Sequence, residues 1–216
     1  MIQVYLMPGM AASPLIFENI SLPQEHFEVH LMDWLIPEPK EPLTSYCQRL
    51  LKQVKHDNPV LIGVSFGGVI VQEMAKLIQV KKLIIISSVK SHHEFPRRMR
   101  LARSTGLHKL LPTSLMGNFD QLSKYGMSIA PKKMELYKRY LNISDPQYLD
   151  WALETIIKWQ QEQPMEGIVH IHGSADPVFP LKYIKNCVTI DGGTHVMIIN
   201  RFRWFNENLP QIIRET

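Results

Sequence analysis

Cysteine is nearly absent from the chain. Cys47 and Cys187 are its only two, and neither belongs to a CxxC pair or a Cys/His cluster. That excludes a disulfide-built scaffold and a thiolate metal site, and two reduced, packed thiols are expected. Long apolar runs are missing too: none approaches the roughly 18 residues that suggest a membrane span. The N-terminal "MIQVYLMPGM" has no basic start and is cut by Pro8 and Gly9, so it makes a poor signal peptide. Charge of one sign is also scarce. The net charge of +4 falls within Ser88 to Gly167, which is far from the extended basic face of a nucleic-acid binder. A soluble cytoplasmic protein is expected, monomer or homodimer, with no nucleic-acid or membrane partner.

What is present is an ordinary globular composition, with 45% hydrophobic and 20% charged residues in 216. This suffices for one domain with a sizeable core and a modest insertion. Short β-like runs alternate with helical ones in the first half, the pattern of strands feeding crossover helices. Strands are expected at Ile2–Met7, Phe27–Trp34, Val60–Val64 and Lys82–Ser87, with helices near Pro14–Asn19, Leu43–Val54 and Phe66–Ile78. "VLIGV" and "KLIIIS" are almost continuously apolar, as strands covered on both faces must be. After Ser88 the pattern changes for some 75 residues, where Pro, Gly and Asn divide short helical pieces and no strand is evident. It resumes with strands at Gly167–Gly173 and Cys187–Ile190, a short helix near Leu181 and a final helix from about Met197 to Ile213. The expected fold is α/β: a mostly parallel sheet with helices on both faces, built from residues 1–88 and 167–216, with a helical cap inserted at 89–166.

Ligands of such sheets bind at the carboxyl ends of the strands, and three constellations lie there. Gly63-Val64-Ser65-Phe66-Gly67 turns a strand into a helix, so the central serine is forced into a strained backbone and its hydroxyl into the cleft. A glycine turn with an incidental serine and a phosphate-cradling loop are the competing readings, but for the second neither GxxxxGK[ST] nor GxGxxG is present. "HGSADPVFP" places Asp176 beyond one late strand, and "DGGTHVMII" places His195 beyond the next. Serine is a weak nucleophile unless an imidazole takes its proton, and the imidazole needs a carboxylate to fix its tautomer. His170 and His172 alternate on one strand and His92-His93 form a further pair, but no Cys or carboxylate neighbours them at zinc-ligand spacing. No metal and no cofactor are expected.

The elbow "GVSFGG", the segments "HGSADPVFP" and "GGTHVMI", their order Ser…Asp…His and the helical insertion together resemble the α/β-hydrolase fold superfamily along the whole chain. The resemblance implies Ser65 as nucleophile, His195 as general base and acid, and Asp176 as the orienting acid, with Asp191 a turn residue. It also implies an oxyanion hole from the backbone N–H groups of Phe66 and Met10. "MPGMAAS" here has Pro8-Gly9 where many relatives have His-Gly, and no HGGG run appears. Serine at the elbow argues against the aspartate-dependent dehalogenases and epoxide hydrolases.

The implied activity is that of a serine esterase or thioesterase acting on a small-molecule ester or thioester. A ligand receptor or signalling protein with negligible turnover, or a lyase or C–C hydrolase, would keep the same three residues. Activity is expected to fall in acid, because a protonated His195 cannot accept the serine proton. In the insertion, Met99, Met116, Phe119, Trp151 and Trp159, with Tyr125 and Met127, are candidates to line an apolar acyl pocket, although each could simply pack the core. Arg97, Arg98, Arg100 and Arg103 in "RRMRLAR" read as a solvated face, or as a dock for an anionic, carrier-linked substrate.

Overall fold

A computed structural model describes residues 1–105 and 139–215. Six strands form one parallel sheet in the order β2-β1-β3-β4-β5-β6: β1 Ile2–Met7, β2 Phe27–Leu31, β3 Val60–Val64, β4 Lys82–Ile86, β5 Val169–Gly173 and β6 Val188–Ile190. The described α-helices are α1 Leu43–Leu50, α2 Phe66–Ala75, α3 Arg97–Thr105, α4 Pro146–Lys158, α5 Met197–Asn200 and α6 Phe202–Arg214. The chain first steps from β1 to β2 and then adds β3 on the other side of β1. That reversal opens a crevice between β1 and β3 at their carboxyl ends.

Alternation along the strands divides the core in two. Tyr5, Met7, Leu61, Leu83 and Ile85 face one layer with Tyr46 and Leu50 of α1, Val69, Ile70 and Met74 of α2, and Tyr148 and Ile156 of α4. Val4, Leu6, Ile62, Val64, Ile84, Ile86 and Ile171 face the other with Met197 of α5 and Phe205, Leu209 and Ile213 of α6. Every residue of β3 is buried. Truncating a side chain such as Leu61 to alanine leaves a cavity worth about 2–5 kcal/mol of stability.

Some boundaries differ from the pattern in the sequence. β2 stops at Leu31 because its partner β1 runs into Pro8, which carries no N–H; Asp33 then pairs through its backbone with Gln53. The turns at Pro14–Phe17, Leu51–Gln53 and Leu181–Tyr183 are 3₁₀, and the final helix is broken at Arg201, whose φ of −118° is not helical. α4 starts at Pro146 behind Asp145, whose carboxylate accepts the Tyr148 N–H at 2.9 Å, a cap worth about 1 kcal/mol. Among the described residues no helix is long and apolar enough to cross a membrane. Both cysteines are free, and burial raises the Cys47 thiol to about 12.

Candidate active site

The chain between β3 and α2 turns so tightly that Ser65 adopts φ 53° and ψ −120°, a left-handed conformation that costs a side-chain-bearing residue about 1–3 kcal/mol. Neighbouring β4 holds it there. The Ser65 N–H donates to the Ile86 carbonyl at 2.9 Å, and the Ser88 hydroxyl donates to the Ser65 carbonyl at 2.7 Å. Gly67 is required by close approach, since a Cβ there would overlap the carbonyl oxygen of Pro8. Gly67→Ala is therefore expected to cost about 1–3 kcal/mol, read as a lowered thermal midpoint.

Asp176 lies in the loop after β5, and His195 follows β6. Main-chain bonds join the two loops: Ser174 N–H to Ile190 O at 3.0 Å and Ala175 N–H to Gly193 O at 2.9 Å. The approach is close enough that a Cβ on Gly173 would overlap the Gly193 carbonyl. His195 Nε2 sits 2.9 Å from Ser65 Oγ, and its Nδ1 2.8 Å from Asp176 Oδ2. Asp191 is elsewhere, accepting from the Ser174 hydroxyl at 3.1 Å.

The Asp176 side chain is fully buried. Its other oxygen accepts the N–H groups of Val178 at 2.7 Å and Phe179 at 3.0 Å. Burial pushes its pKa up, but the His195 hydrogen bond and charge, together with those two N–H groups, outweigh it, so the carboxyl is held below its ordinary range.

No family model and no curated protein matches the chain. Solved structures do. A bromoperoxidase from Bacillus anthracis superposes with a TM-score of 0.68 at 18% identity, over 99% of this chain and 92% of that one. An esterase from Exiguobacterium antarcticum gives 0.67 at 18%, over 100% and 92%. An alpha/beta hydrolase fold protein from Burkholderia ambifaria gives 0.66 at 12%, over 97% and 90%.

The chain has the α/β-hydrolase fold.

In α/β-hydrolase terms Ser65 occupies the elbow, and the loop after β1 lies beside it. Gly9 packs so closely that a Cβ on it would be 3.4 Å from the Ser65 Cβ. Residues 9–12 form a tight turn closed by Ala12 N–H to Gly9 O at 3.1 Å, with Ala11 at φ 62°. Met10 stands inside that turn, and Phe66 opens α2, where the first N–H groups of a helix lack intrahelical partners. The turn is tied to the chain leading into α4 by Ser13 N–H to Tyr140 O at 3.0 Å and Ile143 N–H to Ala11 O at 3.1 Å.

Of the residues proposed for substrate contact, Met116, Phe119, Tyr125 and Met127 lie outside the described residues. Met99 packs on the core, and Trp159 is buried with its indole N–H on Glu73 at 2.8 Å. Trp151 donates to the Glu41 carbonyl at 2.8 Å and brings its ring to 6.1 Å from that of Phe66. Arg98 of the "RRMRLAR" segment donates to the Pro177 and Val178 carbonyls, each at 2.8 Å, and so anchors α3 to the loop that carries Asp176.

Three contributors were not assigned to the site from the sequence, His172 having been weighed there only as a metal ligand. Ser88 supports the elbow as described. Trp34 stacks on Phe66 with centroids 5.5 Å apart and donates to Gly9 O at 3.1 Å, and an aromatic closing the expected strand is its only sequence signal. His172 lies behind Asp176, its Nε2 2.8 Å from the Phe179 carbonyl and 3.7 Å from Asp176 Oδ2. A carbonyl only accepts, so His172 carries its proton on Nε2. Its Nδ1 must then accept from His170 Nε2 at 3.1 Å. The remaining His170 nitrogen, Nδ1, is buried without a hydrogen-bond partner among the described residues.

Burial, then the neighbouring His172 and Lys90, lowers His170 well below 6.5; burial likewise lowers His172, against the Phe179 carbonyl and Asp176. Both rings are thus neutral in the native state, while the unfolded chain binds their protons. Stability is full above the unfolded value of about 6.5 and is lost as pH falls below it, by no more than about 1.4 kcal/mol per histidine per pH unit. Urea midpoints at pH 7.5 and 5.5 should show this fall, and it should shrink in a His170→Gln variant.

Proposed function

We propose that the chain is a serine hydrolase cleaving a carboxylic ester or thioester through an acyl-enzyme. The observation that carries this reading is the unbroken hydrogen-bond line from Ser65 Oγ through His195 to buried Asp176, with the serine on a strained turn. Ser65 Oγ attacks the carbonyl carbon as its proton passes to His195 Nε2. Asp176 stabilises the resulting imidazolium and keeps its Nδ1 protonated. The tetrahedral oxyanion is received by the N–H groups of Phe66 and Met10. On collapse His195 Nε2 returns the proton to the departing alkoxide or thiolate. Water then repeats the cycle on the acyl group with His195 as base.

An esterase is among the solved structures the chain resembles, which agrees with this reading, as does serine in place of aspartate at the elbow. Trp34 and Trp151, whose rings flank Phe66, would form the apolar wall nearest the acyl group. Residues 89–166 would act as a cap over it.

The test is labelling by a fluorophosphonate probe with Ser65→Ala as control, followed by a panel of p-nitrophenyl esters and acyl thioesters. Labelling of the wild type alone, with turnover of one class, is the expected result. A folded wild-type chain that is not labelled would sink the nucleophile assignment. Labelling without turnover on any ester or thioester would favour a receptor over an enzyme.

A further inference from the structure

His92 and His93 lie in a 3₁₀ turn, His92–Glu94, in the segment that leads from β4 into α3. Glu162 lies just after α4, on the way back to β5. The fold brings these two connections together: the His92 N–H donates to the Gln161 carbonyl at 3.1 Å. The Gln161 side chain is buried and donates to Gln72 Oε1 at 2.9 Å and the Lys90 carbonyl at 2.7 Å. A carboxylate 69 positions away in sequence therefore reaches the histidine pair, at 3.1 Å from His93 Nε2 and 3.7 Å from His92 Nε2. It was invisible to a search for local ligand spacing.

We infer that His92, His93 and Glu162 form a binding site for one divalent transition-metal ion of the zinc type, clasping the two connections together. One candidate ligand atom from each residue lies within 4.8 Å of the others. Tetrahedral zinc, with ligand bonds of about 2.0–2.1 Å, holds its ligands roughly 3.3 Å apart, so small side-chain rotations complete the site.

The His92 ring is already oriented for the purpose. Its Nδ1 lies 3.0 Å from the Gln161 carbonyl, which can only accept, so in the neutral ring the proton is on Nδ1 and Nε2 offers a lone pair toward Glu162. A metal-bound imidazole characteristically has this arrangement, with its second nitrogen donating to a carbonyl. Two imidazoles and one carboxylate suit zinc, nickel or copper better than magnesium or calcium, which prefer all-oxygen sites. His93 and Glu162 are well exposed, with side chains 61% and 72% accessible, so an ion can enter and water can complete the coordination. None of the three residues contacts Ser65, Asp176 or His195, and the site stands whether or not the chain is a hydrolase.

The full chain, stripped with a chelator, is titrated calorimetrically with zinc chloride and melted with and without zinc. Magnesium and calcium serve as controls. Zinc is expected to bind and raise the thermal midpoint. His93→Gln and Glu162→Gln should each weaken binding at least roughly tenfold. His92→Asn should do the same while its amide retains a donor for the Gln161 carbonyl. His93→Gln changes an exposed side chain and leaves the fold intact, so it keeps the test decisive if the other variants misfold. A wild-type chain that takes up no zinc would overturn the inference. So would equal zinc affinity in wild type and His93→Gln, which would place the ion elsewhere, or equal response to magnesium.

Discussion

Ser65→Ala is expected to lower kcat by about 10⁴- to 10⁶-fold while leaving the thermal midpoint within a few degrees of the wild type. The size follows from what remains. His195 and Asp176 keep their contact, but on the proposed mechanism no acyl-enzyme can form without Oγ, and only substrate binding and the proposed oxyanion N–H groups would still act on a water molecule. Folding survives because the elbow is held by main-chain and neighbouring groups, not by the hydroxyl: Ser65 N–H on Ile86 O, Ser88 Oγ on Ser65 O and Gly68 N–H on Ser65 O at 2.9 Å. Single-turnover measurements with a p-nitrophenyl ester check the prediction through loss of the burst. A variant retaining a tenth of wild-type kcat would show that another group performs the attack.

Asp176→Asn is expected to reduce kcat by about 10⁴-fold, again with little change in fold. The side-chain oxygen of asparagine can still accept from the Val178 and Phe179 N–H groups, as Oδ1 does now. Its amide nitrogen would then face His195 Nδ1 and donate to it. That forces the proton onto Nε2, so the ring presents N–H to Ser65 where the proposed mechanism needs a lone pair. His172 cannot relieve the mismatch, because its Nε2 proton is committed to the Phe179 carbonyl. The check is kcat against pH beside an unchanged urea midpoint. A loss below tenfold would mean that Asp176 does not set the histidine tautomer.

Much of this arrangement is legible in sequence where a local physical rule governs it. β1 and β3 were delimited to the residue because each is a dense apolar run ended by a residue that cannot continue it: Pro8 in one case, the serine elbow in the other. The strand-end rule also directed attention to Ser65, Asp176 and His195, which meet although Ser65 and His195 are 130 positions apart. What escaped depends on which loops come to lie side by side. Nothing local to Glu162 points to His92, nothing local to Trp34 points to Phe66, and Ser88 reads as an ordinary residue after a strand until the elbow is beside it. The break at Arg201 was hidden for another reason, since the apolar spacing continues across it and only the backbone angle reveals it.

The strand order has a further consequence, for the growing polypeptide. After β3 joins β1, each later strand adds to the edge left by its predecessor, so the sheet can be built outward in the direction of synthesis. The elbow's supports, Ile86 and Ser88, emerge soon after Ser65, whereas His195 is translated 130 positions after it. On the proposed mechanism, a ribosome-bound chain with β4 in place would therefore hold a bent but unreactive serine, because the base has yet to be made. If Ser65 is the nucleophile proposed, probe reactivity there would report that His195 has joined it, and a truncation series lacking His195 should incorporate no label however well its first four strands have assembled.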